Sequence, residues 1–465
     1  MTPKKHLPRV LWFFDISVLS SASMAPAYSL ASTMGPMIVA AGAFAPLSLL
    51  SVSAIMLCIA IGYAQLSRVA PNAGSSYSWI RMAFGSYAGA YGAWLLILSN
   101  VFATLATAVP AGIYTLDLLA PGRAQNPIWD AAVGAAWIAG SAVLLYAGVR
   151  PTAIVTAAAL ALEIGVLGVA AIFAWLAPHA AAAVAHPASG SDINALAFSG
   201  VGFVYAMTLG VWMSDGWELS AATSEEVAKD PRASGRGGIT GLLITTATLA
   251  IAMFAFDKLG TFAGFKANQA DAMRYVADLL GAPLWRPVIL TTVLVSTSSA
   301  LWTTLLYLSR SIFAMGRDRV LPRTLGTLDA RDEPFWSLLV TALLVIGLEL
   351  LTGFSPTAAA QLTLVINGSS LFLGLLFACS AAAAVRIFWR KPAFRWTGVV
   401  IPGAGLVALM VVLGATVIFE DRTSQIYAAG GIVIGVPLAL WRGWASSKAM
   451  AGEPPGQGEP TALAP

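Results

Sequence analysis

Met207-Thr208-Leu209-Gly210-Val211-Trp212-Met213-Ser214-Asp215-Gly216-Trp217-Glu218-Leu219-Ser220-Ala221-Ala222-Thr223-Ser224-Glu225-Glu226-Val227-Ala228-Lys229-Asp230-Pro231 begins as an apolar helix and does not finish as one. Two glycines, a serine and a carboxylate interrupt it before the acidic pair Glu225-Glu226 closes it. In a bilayer each unmade backbone hydrogen bond costs on the order of several kcal/mol. An Asp at a helix centre adds roughly 2.5–3.5 kcal/mol on an insertion scale. Such an interruption is tolerated where it lines a polar cavity, so this stretch predicts a binding site inside a membrane.

That the setting is a membrane follows from composition. The 465 residues are 58% hydrophobic and 10% charged, and the mean hydropathy is +0.78; soluble chains carry about 25% charged residues. Apolar runs far longer than the ~10 residues of a membrane β-strand predict an all-α polytopic protein. A window of about 20 residues gives twelve spans, near 11–35, 46–70, 84–119, 128–148, 152–177, 196–224, 237–260, 285–316, 336–354, 357–386, 397–419 and 424–444.

Orientation is read from charge. With the N-terminus inside, Arg123, Lys258, Lys266, Arg274, Arg286 and Arg422 fall outside, and the other 20 of the 26 basic residues fall inside. This bias predicts both termini in the cytoplasm of an inner (plasma) membrane protein, and it removes the net charge of +4 as a sign of nucleic-acid binding. The chain divides into a cytoplasmic tail (1–10), a core of ten spans (11–386), two peripheral spans (387–444) and a Pro/Gly/Glu-rich tail (445–465) expected to be disordered. The N-terminus shows no cleavage-site pattern of a removed signal peptide. Oligomeric state is not readable.

Little supports enzymatic chemistry. Cys58 and Cys379 lie in apolar spans and read as reduced core thiols. His6, His179 and His186 lie in a tail or loop. No HExxH or GxSxG occurs, so a zinc or Ser-His enzyme has no residues to work with, and no cofactor is expected.

Span 1 carries a second interruption, Ser20-Ser21-Ala22-Ser23-Met24-Ala25-Pro26, followed by Gly35-Pro36. Pro26 cannot donate to the carbonyl of Ala22. The two breaks are five spans apart, an odd number, so the second set of five starts from the opposite face. That is the inverted-repeat arrangement, in which broken helices meet near the midplane, half-helix N-termini attract a carboxylate and freed carbonyls attract an ammonium. The substrate candidates read from the breaks are Ser21, Ser23, Met24, Ala25, Gly210 and Asp215, with Tyr28, Trp94, Asn100 and Thr104 as further pocket formers.

Three stretches then resemble one family. Tyr63-Ala64-Gln65-Leu66 through Pro71-Asn72-Ala73-Gly74-Ser75-Ser76-Tyr77 is similar to "YAELxxxxPxAGGSY" after span 2. Gly216-Trp217-Glu218 followed by Glu225-Glu226-Val227-Ala228-Lys229-Asp230-Pro231 is similar to "GFE…EExxxP". Ser309-Arg310 through Met315-Gly316-Arg317-Asp318-Arg319-Val320-Leu321-Pro322 is similar to "RxxxAMxRDGxxP". In this order and at these positions they resemble the amino acid–polyamine–organocation permease superfamily, on its bacterial amino acid permease branch.

The resemblance implies a 5+5 inverted-repeat core with broken helices 1 and 6 plus two peripheral helices. It implies secondary transport of amino acids or organic amines, by proton-coupled symport or by exchange. It places Trp212 where related exchangers carry a gating aromatic residue, which adds Trp212 to the substrate candidates as a side chain that covers substrate by stacking or cation–π contact. Span 1 departs from the family's "GxGSGI", although one branch of bacterial permeases carries an Ala-Pro there.

Acidic residues inside spans are expensive, so each needs a reading. Glu163 stands in AAALALEIGVLGV with no polar sequence neighbour; proton-coupled relatives carry a Lys at this place beside the span 1 break. It is read either as a protonation site coupling transport to H⁺ or as a hydrogen-bond partner of span 1. Asp215 either binds a substrate ammonium or caps a half-helix. Glu218 is read as structural and Asp15 as an interfacial charge. Ser298 and Ser299, within the run Ser296–Ser299, are candidates for Na⁺, the weaker alternative to H⁺ as coupling ion. Glu225, Glu226 and Lys229 with Arg310, Arg317 and Arg319 read as an inner gate of ion pairs or as solvated loop charges. Besides a carrier, a non-transporting membrane sensor with the same pocket, or a carrier of other solutes such as nucleobases, fits the sequence.

Overall fold

A computed structural model describes residues 7–177, 198–419 and 422–451. His6, His179, His186, Glu420, Asp421 and the tail from residue 452 lie outside the described residues. Among the described residues every named element is helical, and the one β-bridge joins Leu11 to Val227.

The first apolar run is a chain of short helices. Helix α1 (Phe13–Ser23) stops where Pro26 has no N–H and where Ala25 takes the left-handed conformation, φ 46°. Helix α2 (Pro26–Ser29) restarts with the proline in its first turn, where a missing N–H costs nothing. The backbone then widens into a π-turn at Leu30–Met34 before α3 (Gly35–Ala41). Pro36 accounts for the widening: its ring would meet the carbonyl four residues back and cannot bond it.

Helices α4 (Ala45–Val69), α5 (Ser75–Phe84), α6 (Ser86–Leu119), α7 (Pro127–Tyr146) and α8 (Val149–Leu176) follow. The second broken run comprises α9 (Gly200–Met213) and the one-turn α10 (Leu219–Ala222). After it come α11 (Arg232–Leu259), α12 (Phe262–Ala267), α13 (Ala272–Leu279), α14 (Trp285–Arg317), α15 (Phe335–Thr352), α16 (Ala358–Phe388), α17 (Ile401–Phe419) and α18 (Arg422–Ala451). Nine described helical runs are long and apolar enough to cross a bilayer, the first of them the merged stretch Phe13–Val69 that takes in α1 to α4 with their break, and two more apolar helices are shorter. The protein is therefore a multi-pass, all-helical membrane protein. Helix α18 continues past Trp444, where the sequence suggested a disordered tail from residue 445; Ala445–Ala451 contains neither proline nor glycine to stop it.

The broken runs sit at the centre. Helix α1 packs on α8, α11 and α14, and Gly241 of α11 admits it closely: a Cβ there would lie 2.7 Å from Ser20 Cβ and 2.9 Å from Ser21 N. Close approach through small residues is the usual way helices associate where lipid removes the hydrophobic drive. Around this centre α6 contacts α14 and α16, and α4 contacts α9 and α11. The exposed faces of α8, α15 and α17 carry Ile154, Phe173, Leu343, Leu351, Val407 and Val411, as a lipid-facing belt requires.

Candidate functional site

The two breaks touch. Gly216 takes φ 110°, and a Cβ on it would lie 2.6 Å from the carbonyl carbon of Ser23 and 2.9 Å from Met24 N. Only glycine satisfies both the conformation and the contact. Beside this junction is a small chamber of about 10 Å³ lined by Ser23, Met24, Ala25, Tyr28, Ser29, Ala103, Thr107, Trp212, Asp215 and Thr304. Such a volume holds about one water.

A larger cavity of about 540 Å³ extends from Tyr28 and Trp212 to the loop residues Gln125, Gln269 and Asp271, on the side away from the N-terminus. Tyr28 and Trp212 line both spaces. The indole is 8% exposed and its Nε1 has no hydrogen-bond partner. It stands between vestibule and chamber, so a solute moving from one to the other must displace it. At the rim, Arg274 bonds Asp117 and Asp271, and Tyr114 Oη donates to Asp271 Oδ2 at 2.8 Å. Burial pushes the Asp271 carboxyl up, while Arg274 beside it pulls the other way.

The predicted residues divide by position. Ser23, Met24, Ala25, Trp212 and Asp215 line the chamber. Ser21 does not; its hydroxyl pairs with Thr245 Oγ1 at 2.8 Å. Gly210 packs on Val52 instead. Of the further pocket formers only Tyr28 is at the chamber. Trp94 turns to α18, donating to Gly431 O at 2.8 Å, and Asn100 and Thr104 bond within α6. Ser29, Ala103, Thr107 and Thr304 were missed, because nothing in the sequence reports which faces of α2, α6 and α14 turn towards the chamber.

Glu163 is wholly buried and reaches the span 1 break. Its Oε1 accepts the Ala27 N–H at 2.7 Å and the Ser296 hydroxyl at 2.5 Å; Ser296 Oγ in turn accepts the Tyr28 N–H at 3.1 Å. The other oxygen, Oε2, has no partner. The two Na⁺ candidates bond their own helix: Ser298 Oγ donates to Leu294 O at 2.7 Å and Ser299 Oγ to Ser296 O at 2.9 Å. Glu218 Oε2 accepts the Gly216 N–H at 3.0 Å and so fixes the turn between the two halves, while among the described residues no side chain, Asp215 included, bonds the N-terminus of α10 as a cap. Asp215 is 9% exposed, and its Oδ1 has no partner.

The N-terminal side is closed by paired charges. Arg317 holds Glu225 through two bonds, at 2.5 and 2.8 Å, and Glu225 Oε1 also accepts the Ala73 N–H at 2.9 Å. Arg310, wholly buried, bonds Glu226 at 3.0 and 3.2 Å and Glu333 at 3.0 Å. Glu333, in the loop before α15, escaped the sequence reading, and burial pushes its carboxyl up against the pull of Arg310. Lys229 lies over the Trp12 ring, 4.9 Å from its centre. Leu11 pairs in both directions with the chain after α10, Leu11 N–H to Glu226 O at 2.9 Å and Ala228 N–H to Leu11 O at 2.8 Å. The chamber thus communicates with one side through an aromatic partition and is sealed on the other by buried ion pairs.

Comparison with known proteins agrees with this architecture. Residues 11–441 match the family described as amino acid permease. An uncharacterized transporter of Mycobacterium tuberculosis is 27% identical over 440 residues, 94% of this chain and 91% of that one. A branched-chain amino acid permease of Lactococcus lactis is 25% identical over 313 residues, 62% of this chain and 64% of that one. The chain belongs to the amino acid permease family and is a membrane transporter, not an enzyme.

Proposed function

We propose that the protein is a secondary active transporter of amino acids or organic amines that works by alternating access and is coupled to protons. On this reading twelve spans form a 5+5 inverted repeat with two peripheral helices, in the plasma membrane with both termini in the cytoplasm. The carrying observation is the contact between the two broken runs beside a buried chamber with a vestibule on one side and paired charges on the other. A carrier must expose one site to each side in turn. An aromatic partition on one side and separable ion pairs on the other are the parts that this cycle moves.

Glu163 supplies the coupling in this reading. Its Oε2 is free to take a proton while Oε1 holds the start of α2, so protonation is felt at the backbone of the break. H⁺ is preferred to Na⁺ because Glu163 places an unpartnered carboxyl oxygen at the span 1 break. Uptake by purified protein in liposomes, with and without an inward proton gradient, tests the reading. Substrate accumulation that follows the gradient supports symport. Gradient-independent swapping of internal for external substrate would make the protein an exchanger. Binding without any flux would make it a sensor.

A further inference from the structure

The start of α2 leaves no backbone N–H for a carboxylate. A half-helix N-terminus inside a membrane ordinarily offers free N–H groups to an anionic part of the substrate. Here each one is committed. Met24 N–H bonds Ser21 O at 3.2 Å and Ala25 N–H bonds Ala22 O at 3.0 Å. Pro26 has none. Ala27 N–H goes to Glu163 at 2.7 Å and Tyr28 N–H to Ser296 Oγ at 3.1 Å. Ser29 N–H returns to Ala25 O at 2.7 Å, and Leu30 N–H to the carbonyls of Pro26 and Ala27. The protein's own Glu163 carboxyl stands where a substrate carboxylate would bind. At the other break the Gly216 N–H is held by Glu218, and neither residue lines the chamber.

The chamber's side chains point the same way. No Lys, Arg or His is among its lining residues. The hydroxyls of Ser29, Thr107 and Thr304 donate to carbonyls of Met24, Thr104 and Ala300 at 2.8–2.9 Å. The Ser23 and Tyr28 hydroxyls and the Trp212 N–H remain, and all three are uncharged. The one carboxyl among the lining residues is that of Asp215, whose Oδ1 is buried without a partner. An ionised carboxylate placed there would meet like charge and no cation, at a depth where an unpaired charge is very costly. A monocation would neutralise Asp215 through a charge-assisted hydrogen bond.

We infer that the chamber, once Trp212 has swung aside and joined it to the vestibule, selects a small organic ammonium lacking an ionised carboxylate, with Asp215 as its counter-charge, in preference to a zwitterionic amino acid. This rests on the transporter reading above and narrows its substrate class.

The test uses matched probes on the full chain in liposomes at pH 6.5, with protein-free liposomes as the control for passive leak. Leucine is set against leucine methyl ester and isoamylamine, and phenylalanine against its methyl ester and 2-phenylethylamine. The expected result is uptake of the amine and ester of at least one set at rates at least about tenfold above its zwitterion, lost in Asp215→Asn. About tenfold corresponds to 1.4 kcal/mol, a conservative figure for leaving one buried charge unpaired. Zwitterion uptake equal to or faster than that of the amine would overturn the inference and leave the transporter reading standing. Saturable binding in thermal-shift assays without flux of any probe would overturn the transporter reading, and the inference with it.

Discussion

A Cβ on Gly216 would fall 2.6 Å from the backbone carbonyl carbon of Ser23. The two interrupted helices are therefore in contact through a bare backbone, and the site exists because position 216 has no side chain. Gly216→Ala meets two penalties, a φ of 110° and a clash with backbone that cannot swing aside. We expect a loss of at least about 2 kcal/mol, seen as a lower midpoint of thermal unfolding in detergent. Ala25→Gly is the control at the facing break. Ala25 bears φ 46° with its Cβ in place, so glycine relieves strain while adding unfolded-state entropy, and stability should change by less than about 1 kcal/mol.

Glu163 separates structure from coupling. Glutamine keeps an amide oxygen for the Ala27 N–H and the Ser296 hydroxyl but never ionises. Glu163→Gln should fold normally and transport with a flattened response between pH 5 and 8, measured as initial uptake rates in liposomes. Glu163→Ala strands the Ala27 N–H and should cost about 1–3 kcal/mol besides. A Glu163→Gln protein that keeps the native pH profile would remove the coupling role and leave only the anchoring one.

The buried group formed by Arg310, Glu226 and Glu333 makes a sharper prediction about stability. Removing the cation in Arg310→Met leaves two carboxylates buried side by side, a change that typically costs about 3–5 kcal/mol. Arg310→Lys should recover only part of this, because a point charge cannot hold both acids in the fork geometry. Glu333 sets the pH dependence. A carboxyl whose value is raised in the folded protein binds its proton more readily folded than unfolded. Its contribution to stability is therefore fullest at acidic pH and falls as pH rises from the ordinary glutamate value through the raised one. Glu333→Gln should abolish that part of the pH dependence of the unfolding midpoint.

Much of the site was legible because its cost was legible. A proline, glycines and an acidic residue in apolar helices are expensive, so Pro26, Gly210, Gly216 and Asp215 announced the breaks, whereas the left-handed turn at Ala25 became visible only in the structure. What could not be read was facing. Ser21 and Ser23 are two residues apart on one helix, yet one pairs with Thr245 and the other lines the chamber; a helix rotates by about 200° over two residues. Partners distant in sequence were also hidden. Glu163 has only apolar neighbours along the chain, and its bond to Ala27 spans 136 positions. Glu333 lay in a loop whose sequence gave no sign that Arg310 would turn to it.

Trp212 is the last part with a directly measurable role. It lines both cavities, so its removal should join them. The chain has two cysteines, Cys58 and Cys379; with both replaced by alanine, Ser23→Cys reports access to the chamber. A membrane-impermeant thiol reagent added from the vestibule side should label that cysteine slowly while the indole is present. In the Trp212→Ala background labelling should be faster by about tenfold or more, the change expected if the partition contributes at least 1.4 kcal/mol to excluding the reagent. Trp212→Phe keeps an aromatic cover and should stay near the slow rate. Equal labelling in all three backgrounds would mean that the barrier lies elsewhere, and Tyr28, the other side chain common to both cavities, would be the next to replace.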